Sequence, residues 1–563
     1  MKEKMKWLVD AYKKGTLEYR IKDTKESKGT VVMPTGTGKS GEVYADIIWH
    51  IDHIKHGEKI IFNLSAPILK LEAQFANDLF EVLNSIPHFK DMLDNGDIEF
   101  YVNSSDDGDA YDCGDVLDVN RFSTDIHNFN ANSAKIAIVA SCHKSLPKFA
   151  ERMDELMSFA TVIEYIDEGH MVINEIGKDS KYEKLSVGDK EKFDSFSKIC
   201  EADEVYILTA TPDVYVSKIV NDAAGRETVS NTTGYIINIL ARDAIKNNII
   251  LPVVSHYARV SDSKNEYKIT PKMCADFMDL VKKDNDKINH KILVTCSETG
   301  HLVELSNALK KMGYNVFSTC YNHGGVSVIC GDEENVDPVE FVKTVDDFSG
   351  DCFVLHIQQL TQGIDIKTLT DAIYYNSCAL DNKQKRRLIQ TIGRILRTAN
   401  GERGYDEAHR TKKHGNVLLL IKDDAYDVIR KEMQNFLLLY YGRDGVKAFT
   451  YDISTSHHHK GAGTGVFELG NGIDGDYFDF FEDHISQLKI NMDKYIREQV
   501  EPKYRLHLRL MGKKSGSFIP KMYSDMKKRF HECDGSEWGL GSILSNAEFN
   551  EAVQELFNHY GID

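Results

Sequence analysis

The sequence predicts an α/β protein: two parallel-sheet domains in tandem, followed by a smaller, mostly helical C-terminal region. Three observations carry this. Short apolar runs rich in β-branched residues alternate with stretches of helical period, and the alternation stops and restarts once in mid-chain. A loop punctuated by glycines follows the first apolar run and opens onto a helix pattern, the usual seat of a ligand at the carboxyl ends of parallel strands. At 563 residues, the chain also exceeds what one core serves.

In the first domain, residues 1–240, an apolar strand ends at the glycine loop. Further strands are read at 59–63, 135–140, 161–166 and 204–208, with a helix over 68–83. Residues 91–125 carry DNGD, SSDDGDAYD and GDVLD and read as a solvated acidic insertion. The second domain, residues 241–445, repeats the alternation with strands at 291–295, 315–318, 352–357, 371–375 and 416–421. The pattern changes after Tyr441. Residues 454–475 are Gly-rich without either period and read as a linker, and 476–563 read as a mostly helical accessory region, so the third segment is 446–563.

The glycine loop is Met33-Pro34-Thr35-Gly36-Thr37-Gly38-Lys39-Ser40. Gly36 and Gly38 permit backbone angles that let successive N–H groups converge on phosphate oxygens at the positive end of a helix. Lys39 then reaches the β- and γ-phosphates of a nucleoside triphosphate such as ATP, and Ser40 supplies a hydroxyl ligand for Mg²⁺. Met33 stands where the longer form of the motif has its first glycine, so the partners downstream decide the reading. Residues 161–170, TVIEYIDEGH, form an apolar strand ending in Asp167 and Glu168. One carboxylate there holds Mg²⁺ and the other orients the attacking water. Residues 204–212, EVYILTATP, add a third strand that runs into a polar corner at Thr209 and Thr211. Acidic pairs at strand tips are ordinary on surfaces; behind a phosphate loop they point to a nucleotide site.

At this point the chain resembles the superfamily 2 helicases and translocases. Pro67 and Gln74 fall in a stretch like motif Ia, and Ser141 falls in ASCHKSL, the place of the next nucleic-acid motif. KILVTCS, ending in Ser297, looks like motif IV, and Gln362-Gly363-Ile364-Asp365 looks like motif V. QTIGRILR, with Gln390, Arg394 and Arg397, looks like motif VI. Their i, i+4, i+7 spacing predicts one helical face. The resemblance implies two RecA-like domains joined by residues 236–254, with ATP and Mg²⁺ as cofactors. It makes Lys39, Asp167, Glu168, Gln390, Arg394 and Arg397 catalytic. Residues Pro34 to Ser40, with Gly363 and Asp365, would hold nucleotide, and Ser40 and Asp167 would hold Mg²⁺. It further makes His170, Thr209 and Thr211 coupling residues, and Pro67, Gln74, Ser141, Gln362 and Ser297 nucleic-acid contacts.

Composition agrees with a soluble motor. The chain is 42% hydrophobic and 28% charged, with no apolar run of membrane length and no signal-peptide core at its start, which predicts a cytoplasmic protein with no membrane partner. Its ten cysteines lack paired CxxC spacing, consistent with reduced thiols. The net charge of −18 bears on solubility, whereas binding a polynucleotide needs only local basic stripes. Two are visible. Residues 383–387 read KQKRR, and 503–529 interleave basic residues with Tyr504, Phe518 and Tyr523, a pattern that can follow phosphates and stack bases.

LTATP together with QTIGRILR looks closest to DNA-acting members: phage recombination helicases, repair helicases and restriction-enzyme motor subunits. DNA is therefore favoured over RNA as partner. An RNA helicase, a restriction motor and a slow ATP-gated clamp with a protein partner at the C-terminal region remain the alternatives. Asp493, Glu501 and Lys503 hint at a nuclease, but they sit in a helix-like context interrupted by Pro502. His457, His458 and His459 read as an exposed loop, because three adjacent residues do not share a face. A complete set of ATP motifs in one chain predicts a monomer.

Overall fold

The computed structural model describes residues 6–25, 27–67, 69–103, 120–169, 187–210, 235–260, 269–296, 298–322, 325–330, 333–334, 338–357, 366–376, 382–398, 411–422, 426–442 and 445–451. The expected linker, C-terminal helical region, histidine run, second basic stretch and nuclease-like residues lie outside them. The described residues form two compact units that part at Ile239 and Leu240, with Pro34–Thr37 grouped with the second.

The first unit is built on eight strands: β1 (Lys28–Val32), β2 (Ile60–Ala66), β3 (Ile98–Asn103), β4 (Asn120–Arg121), β5 (Ile136–Cys142), β6 (Thr161–Asp167), β7 (Glu204–Thr209) and β8 (Tyr235–Asn238). Their order is β4-β3-β5-β2-β6-β7-β1-β8. Every neighbouring pair is parallel. Parallel strands need crossovers, and helices on both faces make the strands apolar on both sides. Side chains alternate accordingly. Ile60, Phe62 and Leu64 share one core with Ile163, Tyr165, Tyr206 and Leu208, whereas Ile61 shares the other with Val162, Ile166, Val205 and Ile207. Helices Lys39–His53 and Leu69–Asn84 cover the first core, and Phe122–Ala131 and Val187–Ile199 cover the second.

The acidic-insertion reading of 91–125 needs correction. Within it, Ile98–Asn103 is an internal strand that pairs along its length with β5 and also borders β4. Its Ile98, Phe100 and Tyr101 are buried; the surrounding aspartates masked this apolar run in the composition. Residues 104–119 lie outside the described part.

A polar row crosses this sheet. Asn63 of β2 stands in register with Glu164 of β6 and donates to its Oε2 at 2.8 Å. Ser141 of β5 donates to Asn63 Oδ1 at 2.6 Å, and Asn103 of β3 donates to Ser141 Oγ at 3.2 Å. Burial raises the Glu164 carboxyl well above its usual value, opposed only by the Asn63 hydrogen bond.

The second unit contains β9 (Val253–Val260), β10 (Lys291–Thr295), β11 (Asn315–Asn322), β12 (Gly325–Cys330), β13 (Glu333–Glu334), β14 (Cys352–His356), β15 (Asp371–Asn376), β16 (Gly415–Lys422) and β17 (Val446–Tyr451). Their order is β13-β12-β11-β14-β10-β15-β16-β9-β17. Pairing is parallel except at the β11-β12-β13 edge. Helices Pro271–Asp284 and Thr299–Lys311 pack Phe277, Met278, Leu302, Leu305 and Leu309 against Ile292, Val294, Phe353, Leu355 and Leu418. Residues 236–254, expected only to connect, supply most of β8 and the start of β9, which threads between β16 and β17. The sheet thus runs to Tyr451, beyond the expected end at 445. Among the described residues, no helix is long and apolar enough to cross a membrane.

Glu164 gives a pH test of the buried row. A carboxyl with a raised folded pKa contributes stability that is complete below its unfolded value, near 4.5, and is lost as pH rises towards the folded value. Glu164→Gln keeps the shape but cannot ionise. Urea denaturation of both proteins from acid to neutral pH should show the variant gaining on wild type at up to about 1.4 kcal/mol per pH unit. Parallel curves would show that Glu164 ionises in the fold as it does in the unfolded chain.

Candidate nucleotide site

Strand pairing assembles the site. Because β1, β7 and β6 are parallel neighbours, their carboxyl ends lie along one edge, with Val32 opposite Thr209 and Asp167 opposite Leu208. The loop that leaves β1 is pinned at once, as Met33 N–H donates to the Thr209 carbonyl at 3.0 Å. Within the loop, Thr37 donates to the Pro34 carbonyl through both its N–H, at 3.2 Å, and its hydroxyl, at 2.7 Å. Gly36 has φ 87° and Gly38, which precedes the helix Lys39–His53, has φ 102°. Side chains resist these angles, so the two glycines allow the tight turn that aims backbone N–H groups outward.

Lys39 begins that helix, and its Nζ lies 3.0 Å from Glu168 Oε1 and 3.8 Å from Asp167 Oδ1. The ammonium spans β7, which separates β1 from β6 in the sheet. Glu168 takes φ 49°, an uncommon angle for a residue with a side chain, at the point where the chain turns off β6. Burial pushes the Asp167 carboxyl up to about 6, and the Glu168 charge adds to the rise while the Lys39 ammonium opposes it. Asp167 and Glu168, like the hydroxyl of Ser40 next to Lys39 in the chain, offer only oxygen donors, the kind that Mg²⁺ takes.

Gly169 explains the third place of the Asp-Glu-Gly-His box. A Cβ there would stand 2.5 Å from Cγ2 of Ile207, a fully buried side chain of the neighbouring strand. Its N–H donates to the Leu208 carbonyl at 3.3 Å, which holds the turn against β7.

In the second unit, the helix Asn382–Ile395 carries Gln390 and the buried Arg394, but it ends before Arg397. The single helical face expected for all three therefore holds only for Gln390 and Arg394. The termination has a cause. The Lys412 ammonium, fully buried, donates to the carbonyls of Ile395 at 2.5 Å, Leu369 at 3.0 Å and Arg397 at 3.4 Å. Leu251 N–H takes the Leu396 carbonyl at 2.8 Å. These donors satisfy the last carbonyls and turn the chain at Arg397. Burial lowers the Lys412 pKa to about 8, with the Arg397 charge contributing in the same direction. Burial, with the Arg394 charge adding to it, also holds His356 down at about 3. Nothing in the sequence marks Lys412, which stands far from any motif.

No protein-family model matches the chain, and no curated protein does. Among solved structures, it is similar to the ATP-dependent Type ISP restriction-modification enzyme LlaBIII bound to DNA. The TM-score is 0.52 at 14% identity, over 96% of this chain and 40% of that one. The shared fold is that of tandem RecA-like α/β domains. This chain thus spans 40% of the length of LlaBIII. Weaker similarity extends to Mss116p bound to ssRNA and AMP-PNP, with TM-score 0.46 and 12% identity over 93% of this chain and 91% of that one. It extends also to the Mycobacterium smegmatis helicase Lhr bound to ssDNA and AMP-PNP, with TM-score 0.43 and 13% identity over 77% and 49%.

Within this fold, the expected nucleic-acid and coupling residues are unevenly placed. Pro67 follows the end of β2, and Gln74 lies on the helix Leu69–Asn84. Thr209 is fully buried at the tip of β7. Ser141 was expected to contact a polynucleotide; its side chain is instead fully buried, with its hydroxyl used in the polar row. His170, Thr211, Ser297, Gln362, Gly363 and Asp365 lie outside the described residues.

Gly169→Ala should destabilise the first unit by about 1–3 kcal/mol through overpacking against Ile207. Chemical denaturation measures this. A variant as stable as wild type would mean that the turn after Glu168 yields without cost.

Proposed function

We propose that the protein is an ATP-dependent DNA translocase or helicase. The single observation that carries this is the Lys39 ammonium held 3.0 Å from Glu168 and 3.8 Å from Asp167 at the carboxyl edge of a parallel sheet. A phosphate loop, its lysine and an acidic pair converge there as triphosphate hydrolysis requires.

In this reading the loop N–H groups and Lys39 take the β- and γ-phosphates, and the triphosphate replaces Glu168 as the partner of the ammonium. Freed from that ion pair, Glu168 orients water and accepts its proton as the P–O bond to ADP breaks. Asp167 and Ser40 would hold Mg²⁺, which neutralises phosphate charge when bound. Arg394 and Arg397 supply further positive charge to the γ-phosphate, a contribution worth about 10³ to 10⁵ in rate. Polynucleotide contacts of the motif residues go to sugar and phosphate, as suits movement over any sequence.

DNA is favoured over RNA by the LTATP and QTIGRILR motifs and by the fold shared with LlaBIII, which was solved bound to DNA. The same similarity supports a second reading, a motor subunit of restriction type. ATPase rates with single-stranded, branched and duplex DNA and with RNA, at one fixed salt concentration, separate these. Stimulation by branched DNA is expected; stimulation by RNA alone would move the protein to the RNA helicases, and by duplex DNA alone to the restriction-type motors.

Lys39→Ala should abolish turnover with the fold intact by circular dichroism, and normal turnover would sink the assignment. Arg397→Ala should still bind ATP but hydrolyse it about 10³-fold or more slowly. Lost affinity with an unchanged rate would contradict its role.

A further inference from the structure

The helix that follows the phosphate loop carries a second ionisable cluster on its far half, which the nucleotide reading does not use. Asp46 and His50 lie one turn apart on the helix Lys39–His53, and Glu204 opens β7. Among the described residues, this is the group whose His and carboxylate ligand atoms all fall within 4.8 Å of one another. His50 Nε2 is 3.4 Å from Glu204 Oε2 and 3.9 Å from Asp46 Oδ2.

Two features set the cluster apart from an ordinary buried ion pair. Asp46 is 1% exposed and His50 7%; Asp46 Oδ1 has no hydrogen-bond partner, and His50 Nε2 meets only the carboxylates at 3.4 and 3.9 Å. Leaving such atoms unsatisfied is costly unless something else ligates them. The remaining carboxylate oxygens are held by outer groups. The Tyr165 hydroxyl donates to Asp46 Oδ2 at 2.6 Å, the Lys22 ammonium to Glu204 Oε1 at 3.0 Å, and the Tyr206 hydroxyl to Glu204 Oε2 at 2.5 Å. Orientation of ligating carboxylates by an outer ring of donors is the arrangement that metal sites use.

Distances and donor types agree. Four ligands about 2.0–2.2 Å from a tetrahedral zinc lie roughly 3.3–3.6 Å apart; the separations from His50, 3.4 and 3.9 Å, are within a few tenths of an ångström of this, and Asp46 and Glu204 offer ligand atoms within 4.8 Å of each other. One imidazole and two carboxylates suit a first-row divalent ion better than Mg²⁺, which prefers oxygen. The Glu204 side chain is 15% exposed, which leaves a path for entry and a fourth position for water.

We propose that Asp46, His50 and Glu204 form a zinc-class metal site, separate from the nucleotide site. At 1.5 Å of rise per residue, His50 lies about 16 Å along the helix from Lys39. Zinc bound there fastens the phosphate-loop helix to the start of β7, whose other end meets the loop at Thr209. The ion thereby sets the helix against the strand that lies between Lys39 and its acidic partners.

The test uses the full chain carrying His457→Ala, His458→Ala and His459→Ala, which removes a competing run of imidazoles. After chelation it is titrated with Zn²⁺ and Co²⁺ in excess Mg²⁺, which keeps the oxygen-rich site filled. One equivalent of Zn²⁺ should survive gel filtration, Co²⁺ should give the visible bands of four-coordinate geometry, and Zn²⁺ should raise the thermal midpoint. His50→Gln and Glu204→Gln in that background should each lose the equivalent and the bands while keeping the parent circular dichroism. No zinc uptake and no cobalt bands in the background protein overturn the site, however the variants fold. Unchanged stoichiometry in His50→Gln overturns it equally.

Discussion

The first unit depends on the parallel pairing of β1, β7 and β6. Parallel pairing sends all three carboxyl ends to one edge, and the register sets Thr209 beside Val32 and Leu208 beside Asp167. From that edge the loop and the acidic pair can meet only across β7, and the Lys39 side chain covers the distance. The backbone contributes as much as the side chains. Met33 and Gly169 both donate to carbonyls of β7, which anchors the two turns to the same strand. Close packing at Gly169 follows from this anchoring, since the turn must pass directly over Ile207.

The second unit solves a different problem with a buried charge. An ammonium in the interior is costly unless carbonyls surround it, and Lys412 finds three of them: Ile395 and Arg397 at the end of the helix that carries Arg394, and Leu369 just before β15. The Ile395 and Arg397 carbonyls lie where the helix stops supplying donors, so the buried charge and the helix end satisfy each other. As a result Arg397 leaves the helix, and its position answers to a residue of another element. His290, Asp371 and Asn416 form a comparable buried row nearby, with His290 Nδ1 2.7 Å from Asp371 Oδ2 and Asn416 donating to Asp371 Oδ1 at 2.9 Å. Both units thus hold polar groups between apolar faces and hydrogen-bond them across strands.

Strands read from the sequence were found where apolar runs were uninterrupted. The strand expected at 291–295 is Lys291–Thr295, and the helix expected at 68–83 is Leu69–Asn84. Those missed share a cause. Ile98–Asn103 is flanked by aspartates, and Val253–Val260 follows a stretch read as a connector, so local composition outweighed a short alternating pattern. The loop, Lys39 and the acidic pair were legible because phosphate chemistry demands particular residues at fixed spacing. Ser141 was assigned by position within a motif, and its burial in the polar row was not visible from that position.

The sequence by itself determined the two-sheet alternation, the glycine loop and the Lys39 and acidic pair that meet beside it, because periodicity and glycine angles are local properties. Tertiary structure alone decided that Asn63, Glu164, Ser141 and Asn103 form one row, that Lys412 ends the arginine helix, and that Asp46, His50 and Glu204 converge. Those partners are separated by up to 158 positions in the chain, as for Asp46 and Glu204. Strand register and helix placement bring them together, and neither leaves a mark in the sequence between them.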